Sequence, residues 1–162
     1  IVISHETGSF RAMTSADALR ACGLFGGFTE TGIGIIAGIA SAKSYPPGTP
    51  LFAESMVSDS LLVLGDGRVS LTTRTERGDA PLGELGPGDW LGELSLINPG
   101  QRLCTATALT PVTAFEIRQG DFQKLMATKP QACMKLLMAI CTAFGAKVAA
   151  NKDALKSLVT KL

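Results

Sequence analysis

The stretch GDWLGELSL (residues 88–96), followed by NPGQR (residues 98–102), holds the most specific pattern in the chain. Gly92 allows another segment to approach closely, and residues 93–97 can form one turn of helix. The N-terminus of such a turn directs free backbone N–H groups outward. Arg102 adds a planar, permanently charged fork at the same place. The pattern therefore predicts a small anion site.

Glu93 gives this predicted site a second property. A carboxylate would repel a phosphate in direct contact, so its useful role is to accept hydrogen bonds from a nearby hydroxyl, such as a ribose 2′-hydroxyl. An anion site beside a hydroxyl acceptor, inside an apolar roll, predicts a nucleotide monophosphate ligand. A second interpretation stays open, because Gly-Glu-Leu occurs twice (residues 83–85 and 92–94). In that interpretation Glu93 and Arg102 form a surface pair worth less than about 1 kcal/mol.

Short apolar runs separated by turns surround this stretch. The turns contain Gly-Asp and Pro-Gly pairs, and short apolar runs separated in this way are typical of an antiparallel all-β roll or barrel. The predicted strands are residues 50–53, 60–64, 68–73, 81–85, 105–109 and 112–117. Together with the helices, they predict a mainly β fold: a double-stranded β-helix of the jelly-roll type, with N-terminal helices and a long C-terminal helix.

Helical patterns flank the predicted roll. Thr14 or Ser15 can cap a first helix that reaches Cys22, and Thr29 can cap a second that reaches Ala40. A short helix opens at residue 121, and a helical pattern then runs from Pro130 to Leu162. Apolar residues recur along it by threes and fours, which predicts a homodimer through residues 134–162. The predicted seam is Met134, Leu137, Cys141, Phe144, Val148, Asn151, Leu155, Leu158 and Leu162.

Domain boundaries follow from these patterns. Residues 1–13 carry no periodicity and are expected to be a loose segment. Residues 14–162 are expected to form one domain, since 162 residues suit one core better than two. Within it, we predict N-terminal helices (14–43), the roll (44–118), and the hinge and C-terminal helix (119–162). The chain begins with isoleucine, which suggests a piece of a longer protein.

Composition argues against several classes of function. The net charge of +1 predicts no nucleic-acid-binding surface. The chain has one histidine, and its four cysteines form no C-x-x-C pair and no metal-ligand spacing, so we predict no metal site. Those cysteines are expected to be free and buried, in the cytoplasm. The apolar residues 33–42 are too short to span a bilayer, so no membrane partner is expected. Without a Ser/His/Asp set or metal cluster, we predict no catalytic residue, no cofactor and no enzyme.

Residues 45–122 resemble the cyclic-nucleotide-binding domains of cAMP-dependent kinase regulatory subunits, catabolite-activator-type regulators and nucleotide-gated channels. The similar stretches are YPPG (45–48), SDS (58–60), GRV (67–69) and LGPGDWLGELSL (85–96), with Arg102 at the matching spacing. The resemblance implies that Arg102 holds a cyclic phosphate and Glu93 the ribose hydroxyl. It also implies that Gly92, Leu94 and Ser95 offer backbone groups to the ligand.

Three departures from the family pattern bear on ligand choice. Ser55 stands where the family often has glycine. Leu103 and Cys104, which we also assign to the ligand site, follow the arginine where Ala, Ser or Thr is usual. A hydroxyl there commonly helps to recognise guanine, so its absence favours cAMP over cGMP. On the last helix, Ala143, Lys147 and Val148 fall near the base, and Lys147 is expected to be solvated.

Three functional hypotheses remain open at this point. In the first, a cyclic nucleotide draws residues 93–96 inward, and the hinge around Phe122, Leu125 and Met126 then repositions the C-terminal helix. In the second, the roll is degenerate and serves as a dimerisation scaffold. In the third, the chain is the sensor part of a transcription regulator that lacks its DNA-binding domain.

Overall fold

The computed structural model describes residues 11–159 of the chain. Within that range, helices precede and follow a roll of short strands, and one helical turn lies inside the roll. The helices are α1 (Ser15–Ala21), α2 (Glu30–Ala37), α3 (Glu93–Ile97), α4 (Gln119–Thr128), α5 (Pro130–Ala150) and α6 (Lys152–Val159), with a 3₁₀ turn at Gly23–Phe25. The strands are β1 (Ala40–Tyr45), β2 (Pro50–Phe52), β3 (Val57–Ser58), β4 (Ser60–Asp66), β5 (Val69–Thr75), β6 (Gly78–Leu85), β7 (Trp90–Leu91), β8 (Gly100–Gln101), β9 (Thr105–Ala108) and β10 (Val112–Arg118).

Two four-stranded sheets form the roll. Their strand orders are β1-β10-β4-β7 and β2-β9-β5-β6, and β3 pairs with β8 in a separate small ribbon. Every strand pair is antiparallel. The predicted mainly β fold with flanking helices and an antiparallel roll is therefore confirmed.

Strand β4 is buried on both faces, and its alternating side chains serve two cores. Leu62 and Leu64 point into the roll, whereas Leu61 and Val63 point toward the helices. The roll core also contains Phe52, Val69, Leu91, Ala106, Ala108, Val112 and Ala114. The helical core also contains Leu19, Phe25, Ile36, Phe115, Ile117, Phe122, Leu136 and Ile140. One central strand therefore joins the roll to the helices that flank it.

Side-chain caps fix where the first two helices begin. The Thr14 hydroxyl accepts from the Asp17 backbone N–H, while the Asp17 carboxylate accepts from the Thr14 N–H, so the two form a capping box. The Thr29 hydroxyl accepts from the Gly32 N–H at the start of α2. Both caps are among those expected from the sequence, and Pro130 occupies the first turn of α5 as predicted.

The last helical segment is interrupted, whereas the sequence pattern predicts an unbroken helix to residue 162. α5 ends at Ala150, Asn151 is its C-cap, and α6 begins at Lys152. The Asn151 side-chain amide donates to the Lys147 carbonyl oxygen at 2.8 Å, and its backbone N–H bonds to Val148 at 3.1 Å. An asparagine that bonds locally to the backbone in this way competes with continued helix. Residues 160–162 lie outside the described range.

Helix α5 presents opposite faces to the core and to the surface. Cys133, Leu136 and Ile140 are buried against the helical core. The predicted seam lies mainly on the other face, where Met134 is 59% exposed and Phe144 is 45% exposed. Leu137 is partly buried instead, and the Leu158 side chain and Leu162 lie outside what is described. The seam therefore exposes apolar side chains, while dimerisation itself stays a prediction.

The roll begins earlier than the predicted boundary at residue 44. β1 starts at Ala40 and pairs along its length with β10, while α2 ends at Ala37. The sequence ASAKSY has neither β-branched residues nor clear alternation, so no strand was predicted there. The two-residue strands β3, β7 and β8 were also missed, because they form only where a partner strand lies alongside.

The four cysteines differ in burial. Cys22 and Cys133 are buried, Cys104 is half-buried and Cys141 is exposed. The prediction of four buried thiols is therefore wrong for Cys141, which lies on the seam face of α5. Burial raises the pKa of the Cys22 thiol to about 11, so this side chain stays protonated at neutral pH.

By length and composition, α5 meets the requirement for crossing a bilayer, with a mean hydropathy of 1.6 over its most apolar window. The expectation drawn from residues 33–42 does not cover this helix. Helices that pack within soluble domains meet the same requirement, and one face of α5 covers the helical core. The expectation of no membrane partner stays a prediction.

Leu136→Ala should lower the free energy of unfolding by about 2–5 kcal/mol, because it opens a cavity in the helical core. Met138→Ala, on the exposed face of the same helix, should change it by less than about 0.5 kcal/mol. Urea unfolding followed by circular dichroism measures both. Equal losses in the two variants would contradict the orientation of α5.

Candidate functional site

Gly92 shapes the floor of the candidate site. Its φ of 77° lies in the left-handed region, and it caps the N-terminus of α3. A Cβ at this position would overlap the Arg102 guanidinium and would lie 2.7 Å from the Ser60 carbonyl oxygen. Only glycine satisfies both constraints, so the predicted close approach is confirmed.

The backbone around Arg102 is held from both sides. Its N–H donates to the Met56 carbonyl at 2.8 Å, and its carbonyl accepts from the Ser55 N–H at 2.9 Å. Ser55 has a φ of 69°, the one positive φ of a non-glycine residue within residues 11–159. The turn expected to accommodate a side chain at Ser55 does so in a conformation that glycine prefers.

The Arg102 side chain is buried, with 6% of the residue exposed. Nη2 donates to the Ser60 carbonyl at 2.9 Å, and Nη1 lies 3.5 Å from the Ser95 hydroxyl. The guanidinium carbon lies 4.2 Å from the centroid of the Phe52 ring, a cation–π contact. Among residues 11–159, the buried Nε–H has no hydrogen-bond partner.

No carboxylate within residues 11–159 lies within 4 Å of the Arg102 guanidinium. Burial lowers the pKa of Arg102, and the more distant charges of Cys104, Glu116 and Glu93 only partly oppose this. A guanidinium remains protonated at neutral pH even so. The site thus holds a buried positive charge that protein groups do not neutralise.

Glu93 begins α3 and is also buried, with 8% of the residue exposed. Its Oε1 accepts a hydrogen bond from Lys147 Nζ at 2.7 Å. Lys147 belongs to α5, and its Nζ also lies 5.7 Å from the centroid of the Trp90 ring. The expectation that Lys147 is simply solvated is therefore wrong, although its side chain is 57% exposed.

All seven residues predicted for the ligand site line one cavity of about 450 Å³: Gly92, Glu93, Leu94, Ser95, Arg102, Leu103 and Cys104. Leu103 is 84% exposed, so its side chain does not plug the cavity that it lines. Cys104 is half-buried, and burial raises the pKa of its thiol. A cation, Arg102, and a carboxylate, Glu93, therefore line the same small cavity.

Sequence reasoning missed Phe52, Ser60 and Trp90 as parts of the site's surroundings. Phe52 stacks on the guanidinium, and the Ser60 carbonyl orients it. A backbone carbonyl and a ring face carry no sequence signal of such roles. The similarity of the SDS stretch (58–60) to the family did point to the segment that contains Ser60.

A larger apolar cavity of about 680 Å³ lies elsewhere, between α5 and the segment 24–28. Leu24, Phe28, Met134 and Met138 line it, and Lys135 Nζ lies 5.4 Å from the Phe28 ring centroid. Its walls present few polar atoms with which to recognise a specific ligand. We therefore place the candidate site at Glu93 and Arg102.

Comparison with curated proteins finds regulators and sensors. The chain is 30% identical over 122 residues to a CRP-like cAMP-activated global transcriptional regulator of Mycobacterium tuberculosis, covering 75% of this chain and 54% of that protein. It is 28% identical over 109 residues to the cyclic AMP receptor protein of Thermus thermophilus, covering 66% of this chain and 50% of that protein. The chain thus spans about half the length of these two relatives.

Comparison with solved structures agrees. The N-terminal domain of a transcriptional regulator from Streptomyces coelicolor superposes with a TM-score of 0.75 at 31% identity, covering 83% of this chain and 94% of that one. The Thermus thermophilus catabolite activator protein superposes with a TM-score of 0.70 at 25% identity, covering 82% of this chain and 62% of that one.

The model of the family described as "Cyclic nucleotide-binding domain" matches residues 42–129, which is more than half of the chain. That match contains β4, α3, Arg102 and the start of the C-terminal helices. From the matched residues, the relatives and the shared fold, we conclude that this chain belongs to the cyclic nucleotide-binding domain family.

Proposed function

We propose that this chain is a regulatory module that binds cAMP in preference to cGMP and performs no catalysis. The observation that carries the proposal is the buried Arg102 guanidinium, which has a free Nε–H and no carboxylate nearby within residues 11–159. A buried cation without a counterion favours an anionic ligand. The cavity beside it has the size and the polar groups that a nucleotide needs.

The cyclic phosphate would meet Arg102 and the start of α3. Arg102 can offer its Nε–H and the Nη1 side that now only approaches Ser95, and both are charge-assisted donors. The first backbone N–H groups of a helix have no partner within it, so those of Glu93 and Leu94 can supplement the guanidinium. Gly92 lets the two donor sets meet, because it has no side chain between them.

Glu93 would orient the sugar. Its carboxylate is buried at the cavity wall and can accept a hydrogen bond from the ribose 2′-hydroxyl. Because Arg102 and Glu93 line the same cavity, a ligand that carries a phosphate and a hydroxyl on an adjacent ring carbon could contact both. The lack of a hydroxyl at Leu103 and Cys104 supports adenine over guanine as the base.

A hydrogen bond supports transmission of binding from the roll to the helices. The Gln119 side-chain amide, in the first turn of α4, donates to the Ile97 carbonyl at the end of α3 at 3.1 Å. If the ligand draws α3 inward, this bond would pull on α4. Phe122, buried on α4, would then repack and shift α5.

The names of the relatives support a regulatory role. The Mycobacterium tuberculosis relative is named a transcriptional regulator, and another relative, from Yarrowia lipolytica, is named a cAMP-dependent protein kinase regulatory subunit. Because this chain spans about half of the former, we propose that it is the cytoplasmic sensor part of such a regulator. Direct contact with nucleic acid or membrane is not part of the proposal.

A second candidate function is a dimerisation scaffold, which the exposed apolar face of α5 favours. Met134, Phe144 and Val148 are each at least 40% exposed, and Leu155 continues the face on α6. Burying such a face against a second copy would remove apolar surface from water. This role is compatible with sensing, since the exposed face of α5 lies opposite the face that packs on the helical core.

Arg102→Ala should weaken cAMP binding by about 100-fold or more, because it removes two charge-assisted hydrogen bonds worth about 1.5–3 kcal/mol each. Isothermal titration calorimetry measures the affinity, and circular dichroism checks the fold. Arg68→Ala, at an exposed arginine paired with Glu84, is the matched control and should bind as the wild type does. No heat from either nucleotide with the wild type at millimolar concentration would contradict the proposal.

Leu103→Thr should raise the affinity for cGMP relative to cAMP by about 2- to 10-fold, since one new neutral hydrogen bond contributes about 0.5–1.5 kcal/mol. Competition binding with both nucleotides gives the ratio. Leu103→Ala truncates the same exposed side chain without adding a hydroxyl. If the Ala and Thr variants shift the ratio equally, the hydroxyl is not the determinant.

Sedimentation velocity should show a dimer of the wild type with and without nucleotide. Phe144→Asp combined with Leu155→Asp should give a monomer, because it places two charges in the proposed apolar interface. Lys152→Asp, on an exposed position of α6, should leave the dimer intact. A monomeric wild type would count against the scaffold function.

A further inference from the structure

Lys147 lies where the C-terminal helices meet the candidate site. It occupies the last turn of α5, and its Nζ donates to Glu93 Oε1 at 2.7 Å. This is the one side-chain donor that the structure gives Glu93 within residues 11–159. Lys147 also lines the same cavity as Arg102, so a nucleotide that fills the cavity meets the ammonium as well as the carboxylate.

The two partners of this ion pair differ in their dependence on it. The Glu93 side chain is only 10% exposed, and a buried carboxylate is costly without a donor. The Lys147 side chain is 57% exposed, so water can solvate its ammonium when it leaves Glu93. A ligand hydroxyl that takes over the carboxylate would therefore release Lys147 at little cost to the lysine itself.

We infer that Lys147 is a positioning residue that competes with the ligand for Glu93. Without ligand, it ties the last turn of α5 to α3, and the ribose hydroxyl of the ligand displaces it. This inference rests on the proposed function and adds the contact that ligand binding would break. In this inference, Lys147 lowers the affinity for the ligand, and its release from Glu93 links ligand binding to the position of α5.

The neighbouring indole makes the contact measurable. Trp90 is the single tryptophan of the chain, and the Lys147 ammonium lies 5.7 Å from its ring centroid. A cation near an indole changes the field that the ring experiences. Departure of the lysine should therefore change the emission of Trp90, whether a mutation or a ligand causes it.

The experiment compares cAMP with 2′-deoxy-cAMP, which lacks the competing hydroxyl, by calorimetry on the wild type and on Lys147→Met. The methionine keeps an apolar stem in the helix and removes the charge. Lys147→Met should bind cAMP about three- to fivefold more tightly, the range expected for a partly exposed ion pair. Its affinity for 2′-deoxy-cAMP should equal that of the wild type, because Glu93 then keeps the same partners before and after binding.

Two further variants serve as controls. Lys147→Arg keeps the cation and should bind cAMP within about twofold of the wild type, since a guanidinium can also donate to Glu93. Lys152→Met removes an exposed charge one turn beyond, outside the residues that line the cavity, and should change neither affinity. In the absence of nucleotide, Trp90 emission should change in Lys147→Met and stay unchanged in Lys152→Met.

Several outcomes would overturn the inference. Weaker or unchanged binding of cAMP by Lys147→Met would show that the lysine does not compete with the ligand. An equal gain for the deoxy ligand would show that the hydroxyl is not the competitor. Unchanged Trp90 emission in ligand-free Lys147→Met would show that the contact is absent in solution. A wild type that binds neither nucleotide would overturn the proposed function as well, which separates that failure from the others.

Discussion

The structure depends on keeping the Arg102 guanidinium out of water without a carboxylate beside it. Burying a charge in this way is unfavourable unless other groups compensate. Here the compensation within the described residues is partial: a backbone carbonyl from Ser60 and the ring face of Phe52. The remaining Nε–H has no acceptor in the part of the chain that the structure describes. A small anion beside Arg102 would supply further compensation, which is the basis of the proposed function.

Local backbone features maintain this arrangement. Gly92 lacks the Cβ that would exclude the guanidinium. Ser55 adopts a left-handed conformation, and its N–H donates a hydrogen bond to the Arg102 carbonyl. Conformations of this kind cost free energy and persist where the surroundings enforce them. Their concentration around one side chain supports a functional site rather than a surface ion pair.

The site lies at the boundary between two cores. β4 contributes Leu62 and Leu64 to the roll and Leu61 and Val63 to the helical core, so the roll and the helices share one strand. α3 lies at this boundary, joined to α4 through Gln119 and to α5 through Lys147. In the proposed function, a displacement of α3 would therefore change hydrogen bonds to both α4 and α5, because these polar contacts can exchange partners.

The sequence could predict features whose causes are local. The close-approach glycine at residue 92, the short α3 turn, the threonine caps and the proline at the start of α5 all follow from the chemistry of a few adjacent residues. β1 could not be predicted from its small polar residues, because its pairing with β10 creates it. The Lys147–Glu93 pair joins residues 54 positions apart, and no periodicity signals such a contact. The break at Asn151 was overlooked, although an asparagine in the pattern offered a local signal.

The most direct test of the central claim is the NMR signal of the Arg102 Nε–H group, assigned by its absence in Arg102→Lys. Titration with cAMP should shift this signal strongly and slow its exchange with water, because the free donor gains a phosphate acceptor. Adenosine, which lacks the phosphate, should leave it in place. A signal that stays unchanged while cAMP shifts the amides of α5 would contradict the assignment of Arg102 as the phosphate-binding group.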